Sequence, residues 1–127
     1  MVGIVVISHS RTLAEGVAEL ARTLGVGKAR VEPAGGAADG GLGTSIELVE
    51  RAVAAVDEGD GVVLLADLGS SVLTAKLFIE DDESGTVVLA DAPLVEGAVA
   101  AASMAAAEMD LATVVAAAED AYSHRKV

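Results

Sequence analysis

Apolar and polar positions fall in blocks along this chain. Gly3-Ile4-Val5-Val6-Ile7 is an apolar run that stops abruptly at Ser8-His9-Ser10. A short continuous run of this kind reads as a strand buried on both faces. The period then changes. Leu13, Val17, Leu20 and Leu24 recur at helical spacing, so a first helix extends to about Leu24, where Gly25 and Gly27 end it. Ser10 can cap its start, or Thr12 can, with Glu15 completing a capping box.

A short second strand is expected over 29–34, followed by a glycine-rich loop over 35–43. Thr44, with Glu47 three residues on, reads as the cap of helix two, whose buried face is Ile46, Val49, Val53 and Val56. The acidic, glycine-rich stretch 57–61 is a solvated turn. Val62-Val63-Leu64-Leu65-Ala66 is another buried strand, ended by Asp67-Leu68-Gly69-Ser70-Ser71, with a short helix over 72–79. After a charged turn at 81–85, Thr86-Val87-Val88-Leu89 is the fourth strand. Pro93 suits the first turn of a fourth helix running to about Glu108. Asp110 caps a fifth, with Leu111, Val114, Val115, Ala118 and Tyr122 on one face. The alanines of helix four allow another helix to approach closely, which suits a subunit contact.

The order βαβαβαβαα predicts an α/β fold, a parallel sheet with helices on both faces. The economical strand order is 2-1-3-4, with the topological switch point between strands one and three. Ligands and chemistry collect at such a point, outside the carboxyl ends of the strands. His9 ends strand one and Asp67 ends strand three, so they should meet there.

Composition narrows the classes. At 127 residues the chain is expected to form one domain, 1–127. Hydrophobic residues make up 53% and aromatics only 2%, so the core must be aliphatic. The net charge of −12 disfavours nucleic acid and anionic membranes, which need a basic footprint. With no cysteine, thiolate chemistry and disulfides are excluded. Two distant histidines make no zinc set, and no metal or cofactor is expected. The first apolar run is no signal peptide, lacking a basic segment before it. Glu96, Glu108 and Asp110 bracket the alanine-rich stretch too closely for a membrane span. A cytoplasmic protein is expected.

The candidate chemistry centres on His9. His124, the other histidine, sits in a polar tail. Asp67 can serve as a helix cap, or it can accept from one ring nitrogen of His9 and fix the tautomer. The loop 35–43 holds five glycines around one aspartate and can fold its amides over an anion, although it lacks the lysine of a Walker loop. Arg11 can be a solvated surface residue or can meet a phosphate or a partner's acid. An imidazole, an orienting carboxylate and helix amino ends rich in Gly, Ser and Thr make a place for a phosphoryl group on histidine. No nucleotide motif is visible, which points to a carrier rather than a complete kinase. The expected phosphoryl-binding groups are Ser10 and Arg11 after the histidine, Gly36 and Gly40 in the loop, and Gly69, Ser70 and Ser71 after the aspartate. Because Nδ1 lies near the backbone and can face Asp67, the phosphoryl group is expected on Nε2.

Four pieces carry a resemblance: Val6-Ile7-Ser8-His9-Ser10, the loop ending Gly43-Thr44-Ser45, Asp67-Leu68-Gly69-Ser70, and Ala92-Pro93-Leu94-Val95-Glu96-Gly97. In these the chain resembles the mannose-family enzyme IIA domains of the bacterial phosphotransferase system, and among them the phosphocarrier subunits of the phosphoenolpyruvate-dependent dihydroxyacetone kinases. The resemblance implies that His9 is phosphorylated and Asp67 orients it. It also implies a flavodoxin-like 2-1-3-4 sheet and a homodimer. The donor would be the histidine-containing phosphocarrier protein. The acceptor would be ADP on the kinase's nucleotide-binding subunit, which then phosphorylates dihydroxyacetone on a third subunit.

Sugar-transporting relatives usually carry Gly after the histidine and Gly-Gly-Ser-Pro after the aspartate. Ser10 and Gly69-Ser70-Ser71 stand here instead, which points to the kinase branch, with the sugar-transporter component as the alternative. Larger relatives append further phosphocarrier domains. None follows here, so a separate protein is expected to bring the phosphate. A response-regulator receiver would need an acidic pair where Ser8-His9-Ser10 stands, and a non-catalytic assembly module would leave His9 structural.

Overall fold

The computed structural model describes residues 1–127. The parallel sheet has β1 (Gly3–Ser8), β2 (Arg30–Gly35), β3 (Val62–Ala66) and β4 (Val87–Leu89), ordered β2-β1-β3-β4. The helices are α1 (Arg11–Leu24), α2 (Ile46–Val56), α3 (Gly69–Asp81), α4 (Leu94–Ala106) and α5 (Leu111–Asp120), with a closing 3₁₀ turn at Ala121–Ser123. This is the flavodoxin-like arrangement. No helix is long and apolar enough to cross a membrane.

Alternation along the buried strands divides the core into two layers. Ile4 and Val6 of β1, with Val63 and Leu65 of β3, face one side and pack on α1, α4 and α5. Val5 and Ile7, with Val62 and Leu64, face the other and pack on α2 and α3. Both faces are covered, which is why β1 reads as continuously apolar. Pro33 sits in β2, an edge strand where a missing N–H costs little.

The face of α1 departs from its hydrophobic period. Ala14, Val17, Ala18 and Ala21 are buried, whereas Leu13, Leu20 and Leu24 are exposed. The helix lies too close to the sheet for leucines: a Cβ on Gly35 of β2 would stand 2.6 Å from Ala14 Cβ. Small residues permit that approach, and the leucines are displaced to the flank. The alanines of α4 likewise find their partners inside the chain. Ala98, Ala101, Ala102 and Ala105 are fully buried in the layer that also holds α1 and α5. These four serve packing within the chain.

Several boundaries move. Ser10 caps α1, but Ser45 rather than Thr44 caps α2, accepting from the Leu48 amide. Thr44 instead accepts from the Thr74 hydroxyl of α3 at 2.9 Å, which turns its side chain away from the helix end. Pro93 is the N-cap of α4, one residue before its first turn. Tyr122 lies past α5 in the 3₁₀ turn and is largely exposed. The start of α3 moves most, from 72 back to Gly69, and this change shapes the site.

Candidate functional site at the carboxyl ends of β1 and β3

Parallel pairing of β1 with β3 runs to Ile7 opposite Ala66, and the Asp67 amide continues the ladder by donating to the Ile7 carbonyl. The chain leaving each strand, Ser8-His9 from β1 and Asp67 from β3, is therefore delivered to the same crevice. His9 Nδ1 lies 3.0 Å from Asp67 Oδ1. The aspartate side chain is 11% exposed and the histidine 28%, so the carboxylate is inside and the ring reaches the surface.

Asp67 is held from several directions. Its Oδ1 accepts from the Leu68 amide at 2.7 Å and the Ser71 hydroxyl at 2.6 Å, as well as facing His9. Its Oδ2 accepts from the Ser8 hydroxyl at 2.8 Å and the His9 amide at 3.1 Å. Burial pushes this carboxyl up, but the bonds from Ser71 and Ser8 and from the Leu68 and His9 amides outweigh it. They hold the group well below the usual carboxylate range. Asp67 is therefore ionised and can only accept hydrogen bonds. The nitrogen facing it carries the proton, so in the neutral ring the lone pair is on Nε2.

That second nitrogen faces α3. Ser70 Oγ lies 2.5 Å from His9 Nε2 and donates to the lone pair. The N-cap of α3, Leu68, supplies no side-chain cap. The amides of a first helical turn have no partners within the helix, and the backbone acceptors found here serve Ser71 and Val72. Gly69 and Ser70 thus present open N–H groups beside Nε2, at the positive end of the helix dipole.

Not every expected phosphoryl-binding group lies open. Ser71 is fully buried and bonds Asp67 and, at 3.2 Å, His9 Nδ1, so it belongs to the carboxylate's cradle. Ser10 donates its amide to Ser8 Oγ, and its hydroxyl oxygen accepts from the Leu13 amide. The Gly36 amide donates to the Ser8 carbonyl and the Gly40 amide to Ala37, while Gly43 donates to the His9 carbonyl. The loop therefore clasps the end of β1 and its bonded amides steady the backbone of His9. Arg11 is exposed and pairs with Glu15 at 3.3 Å. Ser8 is a site residue beyond those expected from the sequence. Its one signal was a polar residue on a strand whose other side chains are all buried and apolar.

The family model for EIIA-man, PTS system fructose IIA component, matches residues 3–115. The "PEP-dependent dihydroxyacetone kinase, phosphoryl donor subunit DhaM" of Escherichia coli is 36% identical over 121 residues, covering 91% of this chain and 26% of that protein. The chain thus spans about a quarter of the length of that relative. The corresponding subunit of dihydroxyacetone kinase 1 from Listeria innocua is 35% identical, covering 80% of this chain and 79% of its own. The crystal structure of EF1359, a protein of unknown function, superposes with a TM-score of 0.81 at 31% identity, covering 94% of this chain and 93% of that one. The chain belongs to the EIIA-man family, in the branch that holds the DhaM phosphoryl donor subunits.

Proposed function

We propose that the chain is a phosphohistidine carrier. His9 takes a phosphoryl group from the histidine-containing phosphocarrier protein and passes it to ADP on the nucleotide-binding subunit of dihydroxyacetone kinase. The observation that carries this reading is the asymmetric ring: Nδ1 faces an ionised, part-buried Asp67, and Nε2 faces the surface beside an uncapped helix end.

The chemistry follows from that asymmetry. The Nε2 lone pair forms a bond to phosphorus while the donor's N–P bond breaks, and the released pair returns to the donor ring. Asp67 steadies the positive charge that His9 acquires. The Ser70 hydroxyl turns from the ring to a phosphoryl oxygen, and the Gly69 and Ser70 amides hold the others. In the second transfer a terminal oxygen of ADP attacks phosphorus, the His9 N–P bond breaks, and Nε2 recovers its pair. A phosphoaspartate at Asp67 is disfavoured, because both carboxylate oxygens are occupied by donors and lie inside.

Partners meet His9 across an apolar rim. Leu42 and Leu68 are 84% and 67% exposed. One precedes Gly43, which bonds the His9 carbonyl, and the other follows Asp67. This rim, on a chain of net charge −12, suits a partner face combining apolar and basic groups. A homodimer and a cytoplasmic setting complete the reading. The test is to incubate the chain with the phosphorylated donor, and then with the kinase subunit carrying ADP. Labelling of His9 followed by ATP formation supports the proposal. Labelling with no ATP formation moves the chain to another acceptor, such as a sugar transporter.

A further inference from the structure

We propose that Ser8 is a positioning residue for phosphoryl transfer: its hydroxyl locks the Asp67 carboxylate toward His9 Nδ1 and ties it to the start of α1. The inference rests on the carrier reading above and adds a residue to it.

Ser8 is the last residue of β1 and is fully buried. Its Oγ accepts from the Ser10 amide at 3.0 Å. Its own proton goes to Asp67 Oδ2 at 2.8 Å. A serine hydroxyl has one proton, so that bond is directional: the Ser10 amide takes the lone pair and leaves the O–H for the carboxylate. One oxygen atom therefore connects the N-cap of α1, the end of β1 and the loop after β3. These are the segments whose relative placement sets the distance from His9 to Asp67.

The carboxylate shows why this donor is not redundant. Oδ1 is shared by Leu68, Ser71 and His9, whereas Oδ2 has only the Ser8 hydroxyl and the His9 amide. Ser71 and Leu68 follow Asp67 in the chain and move with it. Ser8 belongs to the strand that carries His9, so its bond is the tie between the two halves of the site that does not pass through His9 itself. Without it, Oδ2 keeps a single donor, the His9 amide, and the carboxylate is held less firmly against rotation about its Cβ–Cγ bond. The site would survive with Nδ1 less firmly held, and each transfer would begin from a more varied ring orientation.

Three variants test this. Ser8→Ala removes the hydroxyl, Ser8→Cys keeps its volume with a weak donor, and Ser8→Thr keeps the hydroxyl. Two measurements are made on each: carboxylate ¹³C titration of Asp67 in the unphosphorylated protein, and the rate of phosphoryl acceptance from the phosphorylated donor. Ser8→Ala and Ser8→Cys should raise the Asp67 titration by about one pH unit. They should also slow acceptance at saturating donor by roughly tenfold with KM unchanged, and Ser8→Thr should restore both. Wild-type titration and rate in the Ala and Cys variants would overturn the proposal, as would a Thr variant that behaves like Ala. If Ser8→Ala does not fold, the Cys variant decides. Because the titration needs no phosphate, a wild-type chain that fails to accept phosphate would sink the carrier reading and leave the Ser8–Asp67 tie readable by itself.

Discussion

Asp67 Oδ1 lies 3.0 Å from His9 Nδ1 although 58 residues separate them. The contact is a product of topology. A right-handed crossover places β3 beside β1 in the same direction, and the register, with Ile7 opposite Ala66, brings Ser8 level with Asp67 and His9 one residue beyond. The carboxylate is less exposed than the ring, so one nitrogen is committed and the other is available.

Replacing that carboxylate by an amide separates orientation from packing. Asp67→Asn keeps the volume but removes the charge and one of the acceptor positions. The fold should persist, by circular dichroism, while phosphoryl transfer slows by about 10²–10⁴-fold. A transfer rate within a factor of two or three of wild type would show that the contact is structural only.

The same carboxylate should leave a mark on acid stability. Its native pKa is depressed by the bonds from Ser71, Ser8, Leu68 and His9, whereas the unfolded chain takes up that proton near about 4. The stabilisation is therefore complete above about 4 and is lost progressively as pH falls toward the native value. Urea denaturation between neutral pH and pH 2 should show this loss in the wild type and a flatter acid limb in Asp67→Asn. Parallel curves would contradict it.

Two glycines predict opposite effects on stability. A Cβ at Gly35 would meet Ala14 Cβ at 2.6 Å, the Ser10 carbonyl at 2.7 Å and Arg11 Cα at 2.8 Å. Gly35→Ala should push the start of α1 from β2 and cost about 1–3 kcal/mol, a fall in Tm of roughly 4–12 °C. Gly16, within α1, has nothing within 4 Å of its Cβ position. Gly16→Ala should stabilise by about 0.5–1 kcal/mol. Thermal unfolding of both variants checks the pair.

The exposed rim makes a kinetic prediction. Leu68→Glu puts a charge beside the site without touching His9. It should raise the KM for the phosphorylated donor by roughly tenfold and leave the hydrolysis rate of the phosphorylated chain unchanged. An unaltered KM would place partner docking elsewhere.

The strands, their order and the meeting of His9 with Asp67 were legible because they depend on apolar runs and crossover rules. Helix packing was less so. Hydrophobic period pointed to Leu13, Leu20 and Leu24 as the inner face of α1, but distance from the sheet decided in favour of Ala14, Ala18 and Ala21. Period counts apolar residues without weighing their size. The start of α3 was also hidden, since Gly69-Ser70-Ser71 carries no apolar repeat and its first turn is set by Asp67 and Leu68. That turn separates Ser70, which reaches Nε2, from Ser71, which is buried against the carboxylate. Ser8 looked like the edge of a strand because nothing in one dimension shows what lies beside it.

The central claim is that phosphate travels on Nε2 of His9 while Nδ1 stays protonated against Asp67. The most direct measurement is phosphorus–nitrogen coupling in a ¹⁵N-histidine-labelled chain phosphorylated by the donor, with His9→Ala and His124→Ala as controls. Coupling to Nε2 of His9, in an acid-labile and alkali-stable linkage that is lost in His9→Ala and kept in His124→Ala, is the predicted result. Coupling to Nδ1, or a hydroxylamine-sensitive phosphate that persists in His9→Ala, would contradict it.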